Sequence, residues 1–175
     1  MRERPLDERS QDEPLLWSQL PLGDYFYHVT RLERLESIRL AGLTPPEVHK
    51  TGKNWNVSFY PKDRVTNRLF FFVKEADCLG DAIFDVETHH NVALRFRRGV
   101  IISGAILFKD PGYVQNQFIR AEPYSFSVAD VSVPASVLEA CQHAEWDAMR
   151  SEYRCRNWIP ISEANSATLE SRLGQ

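Results

Sequence analysis

Residues 26 to 43 read FYHVTRLERLESIRLAGL, and the fold turns on how this stretch divides. Tyr25 to Thr30 is rich in aromatic and β-branched residues, which predicts a strand. Leu32, Leu35 and Ile38 recur at helical spacing, which predicts an amphipathic helix behind it. Thr30 with Glu33 three positions on fits a capping box, and Gly42 fits the residue that ends a helix. His28 therefore stands in an aromatic strand just ahead of a helix. It is either a core histidine at a strand end or a ligand-holding histidine at the mouth of a site.

Upstream, residues 1 to 14 are charged, contain Pro5 and Pro14, and read as a disordered arm. Downstream, residues 44 to 67 form a long polar loop carrying His49, Lys50, Lys53, Asn54 and Trp55. Leu69 to Val73, LFFFV, reads as a short buried strand. Lys74 to Val86 reads as a helix with Ala76, Leu79, Ile83 and Phe84 inward. Strands are expected at Val92 to Phe96, at Val100 to Phe108, and, singly or as a pair, over Tyr124 to Val133. Pro134 is placed to open a helix running through Val137, Leu138 and Cys141 towards Trp146 and Met149. A single domain is expected over residues 15 to 161, with 162 to 175 as a tail. The order of elements is mixed α+β, without regular βαβ alternation.

A chain of 175 residues is long enough to bury a core of its own. The formal net charge of −3 gives no whole-chain reason to expect nucleic acid or an anionic membrane as partner. Cys78, Cys141 and Cys155 are odd in number and widely spaced, suggesting neither a zinc site nor a disulfide framework; a reducing compartment fits best. No apolar run is long enough for a membrane helix, and the first residues lack the apolar core of a secretory signal.

Tyr27-His28-Val29-Thr30, with Ser37-Ile38 and Gly42-Leu43, resembles the first motif of the ADP-ribosyltransferase superfamily: an aromatic-His-x-Thr strand, then a helix ending in Gly-Leu. Phe70 with Ala76 six positions later resembles the second, an aromatic on a strand and a small residue on a helix. Glu122 followed by Val133-Pro134 resembles the third, a glutamate at the start of a late strand. The resemblance spans residues 25 to 140. It implies an α+β fold of two small packed β-sheets flanked by helices. The activity implied is transfer of ADP-ribose from NAD, the co-substrate, to a macromolecular acceptor, a protein in preference to a nucleic acid. The small single domain is similar to bacterial toxin or effector transferases, acting in the cytoplasm or delivered into another cell without a signal peptide. The alternatives are an RNA 2′-phosphotransferase-like enzyme and an inactive copy of the fold that binds a protein partner.

The same resemblance implies the site residues. His28 would hold a ribose hydroxyl, and the backbone at Val29, next to Thr30, would bond the nicotinamide amide. Phe70 would stack on the nicotinamide ring, with Phe71 or Phe72 as the register alternative. Glu122 would be the catalytic carboxylate, with Asp130 and Glu139 as alternatives. Phenylalanine replaces the usual tyrosine of the second motif, which keeps stacking but removes a hydroxyl, and Pro123 directly follows the glutamate.

Other groupings carry weaker chemistry. Glu87, His89 and His90 do not place both histidines on one face, so a surface turn is expected over a metal site. Cys141 and His143 lack an orienting carboxylate for a nucleophile pair. Arg95, Arg97 and Arg98 are either a solvated strand face or a contact to an anion such as the NAD pyrophosphate.

Overall fold

The computed structural model describes residues 14–45, 68–84, 91–101, 105–109 and 125–165. Its strands are β1 (Pro14–Leu15), β2 (Tyr25–Arg31), β3 (Arg68–Phe72), β4 (Asn91–Arg97), β5 (Leu107–Lys109), β6 (Ser125–Ala129), β7 (Glu139–Asp147) and β8 (Glu152–Pro160). They form one eight-stranded sheet in the order β1-β5-β6-β3-β2-β4-β7-β8. Every neighbouring pair is antiparallel. The α-helices among the described residues are α1 (Leu35–Ala41) and α2 (Glu75–Phe84). This corrects the expected α+β architecture of two packed sheets flanked by helices. The fold is β-dominated, and its strands lie side by side in a single sheet.

The sheet is built by period-2 alternation. On one face Phe26, Phe71, Phe96 and Phe126 are fully buried against one another, with Phe26 and Phe126 ring centroids 4.8 Å apart and Phe71 and Phe96 5.1 Å apart. Each such phenylalanine contributes about 1.5–3 kcal/mol, so this knot outweighs any single polar contact nearby. Leu35 and Ile38 of α1 are buried in the same layer. On the opposite face Cys78, Leu79 and Ala82 of α2 pack on Ala93 and Cys141, with Tyr27, Val29, Phe72 and Trp158 around them. The inward positions of this helix are thus Cys78, Leu79 and Ala82; the side chains of Ile83 and Phe84 lie outside the described residues.

Helix α1 ends where the glycine predicts. Gly42 has φ 78° and gives its N–H to the Ile38 carbonyl at 2.8 Å. A Cβ there would run into the Val133 carbonyl, because Leu43 and Val133 form a bridge beside it. The start differs from expectation. Thr30 remains in β2, a 3-10 turn covers Leu32–Arg34, and α1 begins at Leu35 without a side-chain cap. Glu33 pairs with Arg31 at 3.6 Å instead of closing a capping box.

Two further expectations are corrected. The strand expected from Val100 to Phe108 is a 3-10 turn at Arg98–Val100, then the short β5. The helix expected after Pro134 is a 3-10 turn at Ala135–Val137, then the β7–β8 hairpin. That hairpin has irregular register around His143 and a Cys141–Cys155 disulfide. The bond also corrects the reading of the cysteines, of which the buried Cys78 alone is outside a disulfide. No helix among the described residues is long and apolar enough to cross a membrane.

Candidate functional site

Strands β2 and β3 share one register pair, Tyr27 with Phe72. Each has a longer ladder with its other neighbour: β2 pairs with β4 from Tyr25 to Arg31, and β3 with β6 from Arg68 to Phe72. Beyond Tyr27 and Phe72 the two strands therefore part towards Thr30 and Arg68. A strand paired along one edge presents half of its backbone groups at the other. The seam thus leaves the β2 edge at Val29 and Thr30 without a ladder to β3.

His28 stands at this seam. Its Nδ1 lies 2.8 Å from the Phe70 carbonyl oxygen. A carbonyl only accepts, so Nδ1 carries the proton and donates, and in the neutral ring Nε2 is left as an acceptor. Burial pushes the ring's pKa down to about 4, against the Phe70 carbonyl, which raises it, and with Arg34, which lowers it. The ring is therefore neutral at pH 7. It packs edge-on to Phe71 at 5.9 Å and opposite Leu94 in the ladder. A side-chain hydrogen bond thus spans the seam where the ladder stops.

The residues expected around His28 are distributed over both faces. Phe71 is fully buried in the aromatic knot, on the same face as His28. Phe70 and Phe72 lie on the opposite face and are half-buried. The Val29 side chain packs towards α2, and Thr30 is 7% exposed. A ligand touching both His28 and the Phe70 ring would have to straddle the seam. Glu122 lies outside the described residues, as do His49, Lys50, Lys53, Asn54, Trp55, Glu87, His89 and His90.

Both alternative carboxylates are described. Asp130 is exposed, with φ 55°, just after β6 ends. Glu139 is held by Arg95, with N···O distances of 3.2 and 3.4 Å. The Arg95 guanidinium lies over the Tyr25 ring at 4.1 Å and the Trp158 ring at 4.7 Å. Trp158 in turn donates its indole N–H to Glu75 at 2.9 Å. Burial, with Glu75 adding to it, pushes the neighbouring Tyr27 hydroxyl up to about 12, so it stays protonated.

The arginine cluster divides. Arg95 and Arg97 share a face, both over Tyr25, and Arg97 is exposed. Arg98 turns inward over Phe26 and donates to the Pro21 and Tyr25 carbonyls. Cys141 is disulfide-bonded and so has no thiolate to offer. Among the described residues no group of three His, Cys, Asp or Glu gathers as metal ligands.

Sequence reasoning passed over Ser127, whose Oγ is buried without a hydrogen-bond partner. The signal was the alternation in SFSVA, where Phe126 and Val128 take one face and leave Ser125 and Ser127 on the other.

No protein-family model matches the chain, and no curated protein matches it. Among solved structures, a chain named EcPltA aligns at 14% identity with a TM-score of 0.43, covering 81% of this chain and 87% of that one. That likeness is too weak to assign a fold or a function.

Proposed function

We propose that this protein transfers ADP-ribose from NAD to a macromolecular acceptor, a protein in preference to a nucleic acid, as a member of the ADP-ribosyltransferase superfamily. The observation that carries the reading is His28: a neutral ring whose Nδ1–H is committed to Phe70, with Nε2 left to accept from a hydroxyl at a parted seam. A ribose hydroxyl is such a donor. The unladdered β2 edge at Val29 supports hydrogen bonding to a carboxamide, which resembles a peptide unit. Phe70 supplies a ring on which nicotinamide stacks.

Chemically, the nicotinamide–ribose bond breaks with its electron pair going to the ring nitrogen, which loses its positive charge. Positive charge then develops at the ribose carbon, the acceptor nucleophile bonds there, and it gives up a proton. Such a step needs positioning and a carboxylate more than it needs an acid. A neutral His28 suits it as a positioning group. Glu139 is engaged by Arg95, which supports Glu122 as the carboxylate. The place of action we infer is the cytoplasm, of its own cell or of one into which the protein is delivered. The Cys141–Cys155 bond, of a kind that persists in oxidising surroundings, supports delivery.

The test is incubation of the purified chain with NAD labelled in the adenylate half, following nicotinamide release and label transfer. Glu122→Gln should lower turnover about 100-fold or more at near-unchanged NAD affinity. His28→Ala should weaken NAD binding, and Glu139→Gln should stay active. A wild type that releases no nicotinamide overturns the reading, and capture of a protein partner without turnover would replace it with a binding module.

A further inference from the structure

Strand β8 (Glu152–Pro160) closes one side of the sheet, and no strand among the described residues lies beyond it. Such an edge carries a row of backbone N–H and C=O groups open to a further strand. Eight register pairs with β7 and the Cys141–Cys155 bond hold this edge in place before anything binds it. A partner therefore pays little to order the surface it pairs with.

A strand added beside β8 would extend the rows of the β7–β8 ladder. One face of those rows is apolar. Trp146 lies opposite Tyr153, ring centroids 4.9 Å apart, and Ala144 lies opposite Cys155. Trp146 is 55% exposed. The other face places Glu145 opposite Arg154, whose side chain stays half-exposed while it pairs with Asp147 at 3.5 Å. Arg156 is the extra residue between the pairs Ala144–Cys155 and His143–Asn157; it is exposed and forms no ion pair among the described residues. On β8 itself these two arginines face the single carboxylate of Glu152. Arginines and a bulge also blunt an edge against its own kind. Two copies meeting edge to edge across residues 154 to 156 would set arginine against arginine, which disfavours a second copy. An acidic segment meets no such cost. We propose that the β8 edge docks an extended segment of a protein partner in which apolar and acidic residues alternate. Its apolar side chains lie beside Tyr153 and Cys155, and its carboxylates beside Arg154 and Arg156. The docking does not depend on NAD.

The probe is a capped peptide of alternating valine and glutamate, matched to β8 in length and titrated calorimetrically into the whole protein. It should bind, and a valine–lysine peptide should not. N-methylation at alternate residues, on the peptide edge that faces β8, should weaken binding about tenfold or more, because main-chain donors are lost. Arg156→Glu breaks no ion pair among the described residues of the free protein, so the fold should keep its thermal midpoint; affinity for the glutamate peptide should fall about fivefold and the preference over lysine should narrow. Binding that survives N-methylation would be charge attraction without strand pairing and would overturn the proposal. Equal binding of the two peptides, or binding of neither, would overturn it as well. A concentration-dependent dimer that excludes the peptide would give the edge to a second copy instead.

Discussion

The β7–β8 and β2–β3 junctions join neighbouring strands by opposite means. Strands β7 and β8 share eight register pairs from Glu139–Pro160 to Asp147–Glu152, reinforced by the Cys141–Cys155 bond. Strands β2 and β3 share one pair and one side-chain hydrogen bond, from His28 to Phe70. The first junction is local in the chain, stapled and free to tolerate an irregular register. The second lies at the middle of the sheet and joins through side chains, the His28 hydrogen bond and the packing of Phe71 against Phe26. At the seam the β2 edge beyond Tyr27 has no ladder to β3, whereas a complete ladder engages the facing backbone groups of both strands. The difference teaches that the edge junction is secured by a full ladder and a covalent bond, and the central one by side chains across a short ladder.

Breaking the staple should have the largest effect. Cys155→Ser opens a link between residues 14 apart, which should cost about 3 kcal/mol of stability. Urea unfolding under non-reducing conditions measures it, and the same loss should appear when the wild type is reduced. NAD binding at the seam should change far less than stability; a parallel collapse of both would mean that the two junctions act as one.

The seam should answer to pH instead. In the unfolded chain His28 titrates near 6.5, and in the folded one near 4. Between those values the unfolded state binds more protons, so stability held above pH 6.5 drains as pH falls and is fully lost below pH 4. Allowing for the ring's partial exposure, this amounts to about 2 kcal/mol. His28→Gln should remove that component, which is read as the difference between wild-type and variant unfolding midpoints across the range. A pH-independent difference would show that the ring is not held neutral by burial.

The smallest effect belongs to the junction between these two. Strands β4 and β7 share the pairs Leu94–Ala140 and Arg95–Glu139, with an ion pair on the second. Its side chains are 20% and 32% exposed, so Glu139→Gln should cost only about 0.5 kcal/mol, and less in high salt. A loss of several kcal/mol would mean that the stacked Arg95 is left uncompensated between Tyr25 and Trp158.

The central strands were legible in sequence because their signals are local. Aromatic and β-branched density marked β2 and β3, and Gly42 marked the end of α1. The β7–β8 hairpin was not legible, because Glu139, Ala140, Gln142 and Ala144 carry helix propensity while their strand state is decided by partners in residues 152–160. The irregular register at His143 further breaks the alternation that would have betrayed a strand. Likewise, two cysteines 14 apart mean little until a hairpin brings their Cα atoms to 5.9 Å. At the candidate site, His28 could be singled out from its neighbours in sequence. Its tautomer could not, because that depends on a carbonyl 42 residues away. Phe70 and Phe71 could not be separated either, because which of them is buried follows from the layers that pack on the two faces of the sheet.

The strand order also bears on how the chain is made. Strands β2 and β3 are the middle of the finished sheet yet are synthesised early, and their full ladders are with β4 and β6. On a ribosome adding about 5–20 residues per second, β2 waits several seconds for Arg97 to emerge, and β3 waits for Ala129. During that interval two aromatic strands have open edges and only one pair to make with each other. The nascent chain is therefore most prone to aggregate after β2 and β3 are made and before β4 and β6 are, which is when a holding chaperone would be of most use to it.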